Sequence, residues 1–152
     1  MGYYMRFIVT SDGSPQLEDI RAALRSLSLD YGVISPADDP LRAELLFAGE
    51  RLGEIEFNQP GDDIFDEDID ELKALVSRSQ DDNRQLVLDV LERARMMVAV
   101  QVFWQGQDSE PALERVDPLW DWLFANYDGL LQADGDGFYD SESLILEMNV
   151  RL

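Results

Sequence analysis

Asp134, Asp136 and Asp140 stand close together around Gly135 and Gly137, and three carboxylates so spaced on one tight loop can turn oxygen ligands toward a single divalent cation. Glu54 with Glu56, and Asp140 with Glu142, are pairs two residues apart. On a strand such pairs share a face, where one carboxyl can hold a proton while the other stays charged, the arrangement used in acid–base hydrolysis. The largest grouping lies between Asp62 and Glu71, where seven of ten residues are acids: Asp62, Asp63, Asp66, Glu67, Asp68, Asp70 and Glu71. A dense run of carboxylates is a docking surface for an arginine- or lysine-rich partner, or else a solvated helix face. Other chemistries are missing. With no histidine and no cysteine, the chain has no Cys/His zinc site, thiol nucleophile, imidazole base or Ser-His-Asp triad. Gly-rich phosphate loops, dinucleotide fingerprints and nucleophile elbows are absent as well. Thirty-two acids produce carboxylate pairs by chance, so the pairs alone do not argue for an enzyme.

The segment Gln132-Ala133-Asp134-Gly135-Asp136-Gly137-Phe138-Tyr139-Asp140-Ser141-Glu142-Ser143 resembles the calcium loop of the EF-hand family, with Asp134, Asp136, Gly137 and Asp140 at loop positions three, five, six and nine. The resemblance implies calcium or magnesium as the ligand. It covers a dozen residues and departs from the pattern at both ends: Gln132 replaces the first aspartate and Ser143 the bidentate glutamate. Leu144-Ile145-Leu146 then reads as strand where the family has helix. A hairpin turn accounts for the same glycines and aspartates through backbone conformation.

Charge narrows the partners. The formal net charge is −20 on 152 residues, from one lysine (Lys73) and eleven arginines against the acids. Such a surface repels phosphate backbones and anionic headgroups, so nucleic acid and membrane are excluded as expected partners, and basic proteins and divalent cations are favoured. Solubility or coding bias yields the same composition. Apolar residues make up 45% of the chain, placing it with globular proteins and not with disordered acidic tails. Its length fits one domain spanning residues 1–152. Met1 to Arg6 has no signal-peptide pattern and no run reaches the ~20 apolar residues of a membrane span, so a cytoplasmic and, from its compactness, bacterial protein is expected.

The elements that must position these residues alternate between strand and helix. Tyr3–Thr10 reads as a first strand. Ser14 then caps a helix with Pro15 at its first position and Leu17, Ile20, Leu24 and Leu27 on its buried stripe. A short strand at Tyr31–Ser35 precedes a hairpin, Ala43–Phe47 and Leu52–Phe57, whose second arm alternates apolar Ile55 and Phe57 with Glu54 and Glu56. Phe65, Ile69, Leu72 and Val76 predict a helix from the acidic run to about Arg78, with the acids crowding its start and solvent face. Leu86, Val87, Val90, Leu91 and Ala94 predict another. Met96–Trp104 is apolar on both faces and therefore a central strand. Leu113, Val116, Trp120, Leu123 and Tyr127 form a helical stripe whose main helix is expected to start at Asp117-Pro118. Residues two apart lie about 200° around a helix, so Trp120 and Trp122 cannot both face inward, and Trp122 is expected to contribute to a contact surface. Gly129–Ala133, Gly137–Tyr139 and Leu144–Met148 close the chain as strands.

The expected fold is α+β, a mainly antiparallel sheet with amphipathic helices packed on it in the order βαββ(β)-αα-βαββ. The expected function is a non-catalytic acidic interaction module, of inhibitor or immunity type, which binds a basic protein through the Asp62–Glu71 carboxylates with help from Trp122. The alternatives are a divalent-metal protein or metal-dependent hydrolase using Asp134, Asp136 and Asp140, and a self-associating structural protein such as a homodimer.

Overall fold

The computed structural model describes residues 2–148. Eight strands form one antiparallel sheet: β1 (Gly2–Val9), β2 (Tyr31–Ile34), β3 (Arg42–Phe47), β4 (Glu50–Asn58), β5 (Met96–Phe103), β6 (Gly129–Ala133), β7 (Gly137–Tyr139) and β8 (Leu144–Glu147), in the spatial order β2-β3-β4-β5-β1-β6-β7-β8. Four α-helices pack on it: α1 (Leu17–Leu27), α2 (Asp63–Ser77), α3 (Arg84–Glu92) and α4 (Glu110–Asn126). The α+β expectation and its antiparallel sheet are met. The closing block holds the three strands read from the sequence, one more than the order βαββ gives it. Both halves thus read βαβββ, but the last strand of the first meander (β4) lies beside β5, whereas the first strand of the second (β6) lies beside β1.

Side chains alternate across a strand, and the alternation divides the core in two. Met5, Phe7 and Val9 of β1, with Val98, Val100 and Val102 of β5, face the layer of α1 and α4, where Ile20, Leu24, Val116, Leu119, Trp120 and Leu123 complete the larger core. Ile8 and Met97 point the other way and join Phe65, Ile69 and Leu72 of α2, Val87 and Leu91 of α3, and Leu130, Phe138 and Leu146. The α2–α3 layer covers this second face only toward β1, β6, β7 and β8. Across β2 to β5 the same face stays open, so β5 is central and apolar up to Ala99 but half-exposed at Gln101 and Phe103.

Several boundaries differ from expectation for local reasons. Helix α1 starts after Gln16, which is extended, and Pro15 is buried, not the first helical residue. Leu27 is 65% exposed and Leu86 49%, so the α1 stripe loses its last residue and the α3 stripe its first. Helix α4 begins at Glu110 and runs through Pro118 without interruption. The Asp108 carboxylate accepts the Glu110 N–H at 3.0 Å, an initiation signal upstream of the Asp117-Pro118 pair that imitates one. A proline inside a helix costs about 3 kcal/mol, and burial of Val116, Leu119, Trp120 and Leu123 on either side offsets it.

Candidate functional site

Arg6 is where the two sets of carboxylates singled out in the sequence meet. Strand β1 is apolar at Met5, Phe7, Ile8 and Val9, and Arg6 sits among them with 5% of its surface exposed. A buried guanidinium must be neutralised and hydrogen-bonded. Its Nη1 donates to Asp134 Oδ1 at 2.9 Å and to Gln132 Oε1 at 2.8 Å, and its Nε donates to Asp68 Oδ2 at 3.1 Å. Gln132 Nε2 donates to the same Asp134 oxygen at 3.0 Å, closing a small ring. The register explains the meeting, since Arg6 lies opposite Gln132 in the β1–β6 ladder. Asp68 reaches down from α2, so this ion pair fastens the acidic helix to the sheet.

The remaining acids of α2 are arranged differently. At about 100° per residue, Asp68 falls on the flank of the buried stripe beside Leu72, whereas Asp63, Glu67, Asp70 and Glu71 occupy one arc of about 100° centred opposite the buried side. All four are exposed, and among the described residues no ion pair joins them to a cation. Asp62 and Asp66 are exposed too, but both hold the chain at the helix entry: Asp62 accepts the Gln59 N–H at 3.0 Å and Asp66 that of Gly61 at 3.2 Å. Asp63 and Asp66 also lie in the first turn, where the helix dipole favours negative charge.

Asp134 and Asp136, between β6 and β7, and Asp140, between β7 and β8, do not gather around a common point. Asp134 is buried and committed to Arg6. Asp136 is exposed and accepts the Tyr139 hydroxyl at 3.1 Å. Asp140 Oδ1 accepts the backbone N–H groups of Glu142 and Ser143, both at 2.8 Å, as an Asx-turn. Among the described residues no group of three or more acids is placed to hold a metal ion. The glycines have a backbone explanation. Gly135 has φ +84°, and at Gly137, with φ +135°, an added Cβ would lie 2.0 Å from the Leu146 carbonyl. Burial, the Asp136 charge and the hydrogen bond to it all push the Tyr139 hydroxyl upward.

Trp122 does not join the acidic helix. It lies half-buried on α4, in the layer on the opposite face of the sheet from α2, with its ring edge-on to Tyr127 at 5.8 Å. Trp120 is the inward member of the pair, its indole N–H buried without a partner. The other carboxylate pair, Glu54 and Glu56, lies on the open sheet face in a depression of about 280 Å³. There Glu54 pairs with Arg51, Arg51 Nε reaches Glu44 at 3.0 Å, Arg42 stands opposite Glu56, and the Tyr4 hydroxyl donates to Gln101 at 3.3 Å. A wider cleft of about 660 Å³ beside it is walled by Phe47, Phe103 and Trp104, with Arg115 stacked over Phe47 and Arg51 over Phe103.

Sequence reading missed the convergence on Arg6. One signal was present: a lone charge in a strand apolar on both faces calls for a buried counter-ion. Comparison with protein-family models, with curated proteins and with solved structures found no match. Among the described residues no helix is long and apolar enough to cross a membrane.

Proposed function

We propose that this chain is a non-catalytic acidic interaction module that binds a basic protein through the solvent face of α2. One observation carries the reading: Asp63, Glu67, Asp70 and Glu71 share one exposed arc of a helix and make no ion pair among the described residues, the nearby Lys73 being paired with Glu92. The arc is held in place by the Arg6–Asp68 ion pair and by the burial of Phe65, Ile69, Leu72 and Val76. Four residues supply the contact, in place of the full acidic run with Trp122, because Asp68 is spent on Arg6, Asp62 and Asp66 on the helix entry, and Trp122 lies across the sheet. Opposite charge steers such a partner in and makes the association salt-sensitive. Metal binding by Asp134, Asp136 and Asp140 has no comparable support, since each is engaged by a different protein group.

The test is retention of a basic protein from lysate on the immobilised chain at about 0.05 M and about 0.5 M salt, conditions that differ roughly threefold in screening length. Retention at low salt, lost at high salt and lost in the Asp63→Asn, Glu67→Gln, Asp70→Asn, Glu71→Gln variant, is the expected result. Equal retention by that variant overturns the assignment.

A further inference from the structure

An open antiparallel sheet ends in strands whose outward N–H and C=O groups are templates for another chain. In β2 the pairing with β3 turns residues 31 and 33 outward: Gly32 stands opposite Leu46, and the Ala48 N–H bonds the Asp30 carbonyl at 2.8 Å on the inner side. The outward carbonyls are taken. Arg21 Nε donates to the Val33 carbonyl at 2.8 Å and Arg25 Nη1 to that of Tyr31 at 3.2 Å, while the Tyr31 N–H bonds the Ser28 carbonyl at 3.3 Å. Both arginines belong to α1, four residues apart and so on one side of the helix, and Glu18 pairs with Arg21. At the other end of the sheet, Asn83 Nδ2 donates to the Ile145 carbonyl of β8 at 2.7 Å.

We infer that Arg21 and Arg25 are edge guards, which deny the β2 edge to an extended strand from a second copy of this chain. Two of twelve cations in a chain of net charge −20 are spent on backbone carbonyls of the shortest outer strand of the first meander, where solubility alone would not place them. Charge repulsion between copies cannot serve as the guard once salt screens it, whereas these hydrogen bonds persist. The inference is independent of what binds α2.

The experiment is sedimentation equilibrium of the full chain at about 0.5 M salt, where screening is short-ranged. The wild type is expected to stay at its 17.3 kDa monomer mass as concentration rises. Arg21→Ala with Arg25→Ala is expected to approach twice that mass, and Arg25→Ala alone to associate more weakly. Arg21→Lys with Arg25→Lys, which keeps charge and donors, is expected to remain monomeric. Adding Ile34→Lys, an edge charge at an exposed position, is expected to return the double alanine variant to monomer. The inference is overturned if both alanine variants stay monomeric with unchanged circular dichroism, if the wild type itself associates in a way Ile34→Lys abolishes, or if association of the double variant ignores Ile34→Lys.

Discussion

The solvent face of α2 and the open sheet face across β2 to β5 carry the same kind of charge and differ in what that charge touches. On the sheet, Glu44 and Glu54 flank Arg51, and Glu56 stands opposite Arg42, so each carboxylate has a cation one strand-spacing away. On α2, Asp63, Glu67, Asp70 and Glu71 make no ion pair among the described residues, and Lys73, three positions from Asp70, is paired with Glu92. Composition alone would rank the two surfaces together. The field of the first is largely cancelled at its source, whereas that of the second projects into solvent, where it can attract a cationic partner. A third set, Asp68 and Asp134 around Arg6, marks the other extreme, in which acids serve the fold itself.

The largest expected effect falls on that third set. Arg6→Ala strands Asp134 in the interior without its counter-ion, and removal of one partner of a buried pair costs about 3–5 kcal/mol, read as a fall in the midpoint of urea unfolding. A loss below about 1 kcal/mol would mean that the network is wet and that α2 is held by its apolar face alone. Next comes Gly137→Ala, which drives a Cβ against the Leu146 carbonyl at a residue of φ +135°. It is expected to cost about 3 kcal/mol with or without calcium, because the glycine serves strand pairing. A loss that appears only when calcium is present would restore the cation-loop reading.

Smaller effects sharpen the contrast between the two surfaces. Glu67→Gln with Asp70→Asn relieves like-charge neighbours at Asp63, Asp66 and Glu71 and between the two themselves, each pair worth about 0.2–0.5 kcal/mol, so unfolding stability is expected to rise by about 1–2 kcal/mol. Glu54→Gln is expected to lower it slightly by removing a partner of Arg51. The smallest change concerns Asp117 on α4, whose carboxyl is pushed upward by burial first and then by Asp121 and Glu114. A carboxyl raised in the folded state binds its proton more readily there than when unfolded, so its contribution is lost as pH rises through the folded value. Asp117→Asn is therefore expected to raise the melting temperature at pH 7, with the gain gone below the ordinary aspartate value of 3.8.

Much of this architecture was legible in the sequence because periodicity is local. The stripes Phe65-Ile69-Leu72-Val76 and Leu17-Ile20-Leu24 mark buried helix faces, and Met96 to Val100 is the apolar run of a central strand. Errors arose where one local signal imitated another. Asp117-Pro118 looks like a helix start and lies inside a helix whose core contacts outweigh the proline, whereas the glycines of Asp134-Gly135-Asp136-Gly137 pointed to the hairpin turn that joins β6 to β7. The site itself was least legible. Asp68 and Asp134 lie 62 and 128 positions from Arg6 along the chain, and only the sheet register together with the packing of α2 on the sheet brings them to it. Without that register, Asp68 could not be told apart from the free carboxylates beside it.

If α2 is the docking face, its acids are available to a cationic partner and the sheet acids are not. Titration of the isotope-labelled chain with an oligoarginine peptide, followed by amide chemical shifts, tests it residue by residue. The largest shifts are expected on residues 62–71, fading at high salt and vanishing with Asp63→Asn, Glu67→Gln, Asp70→Asn, Glu71→Gln. Shifts concentrated on residues 42–56, or spread evenly over every acidic surface, would contradict α2 as the docking face.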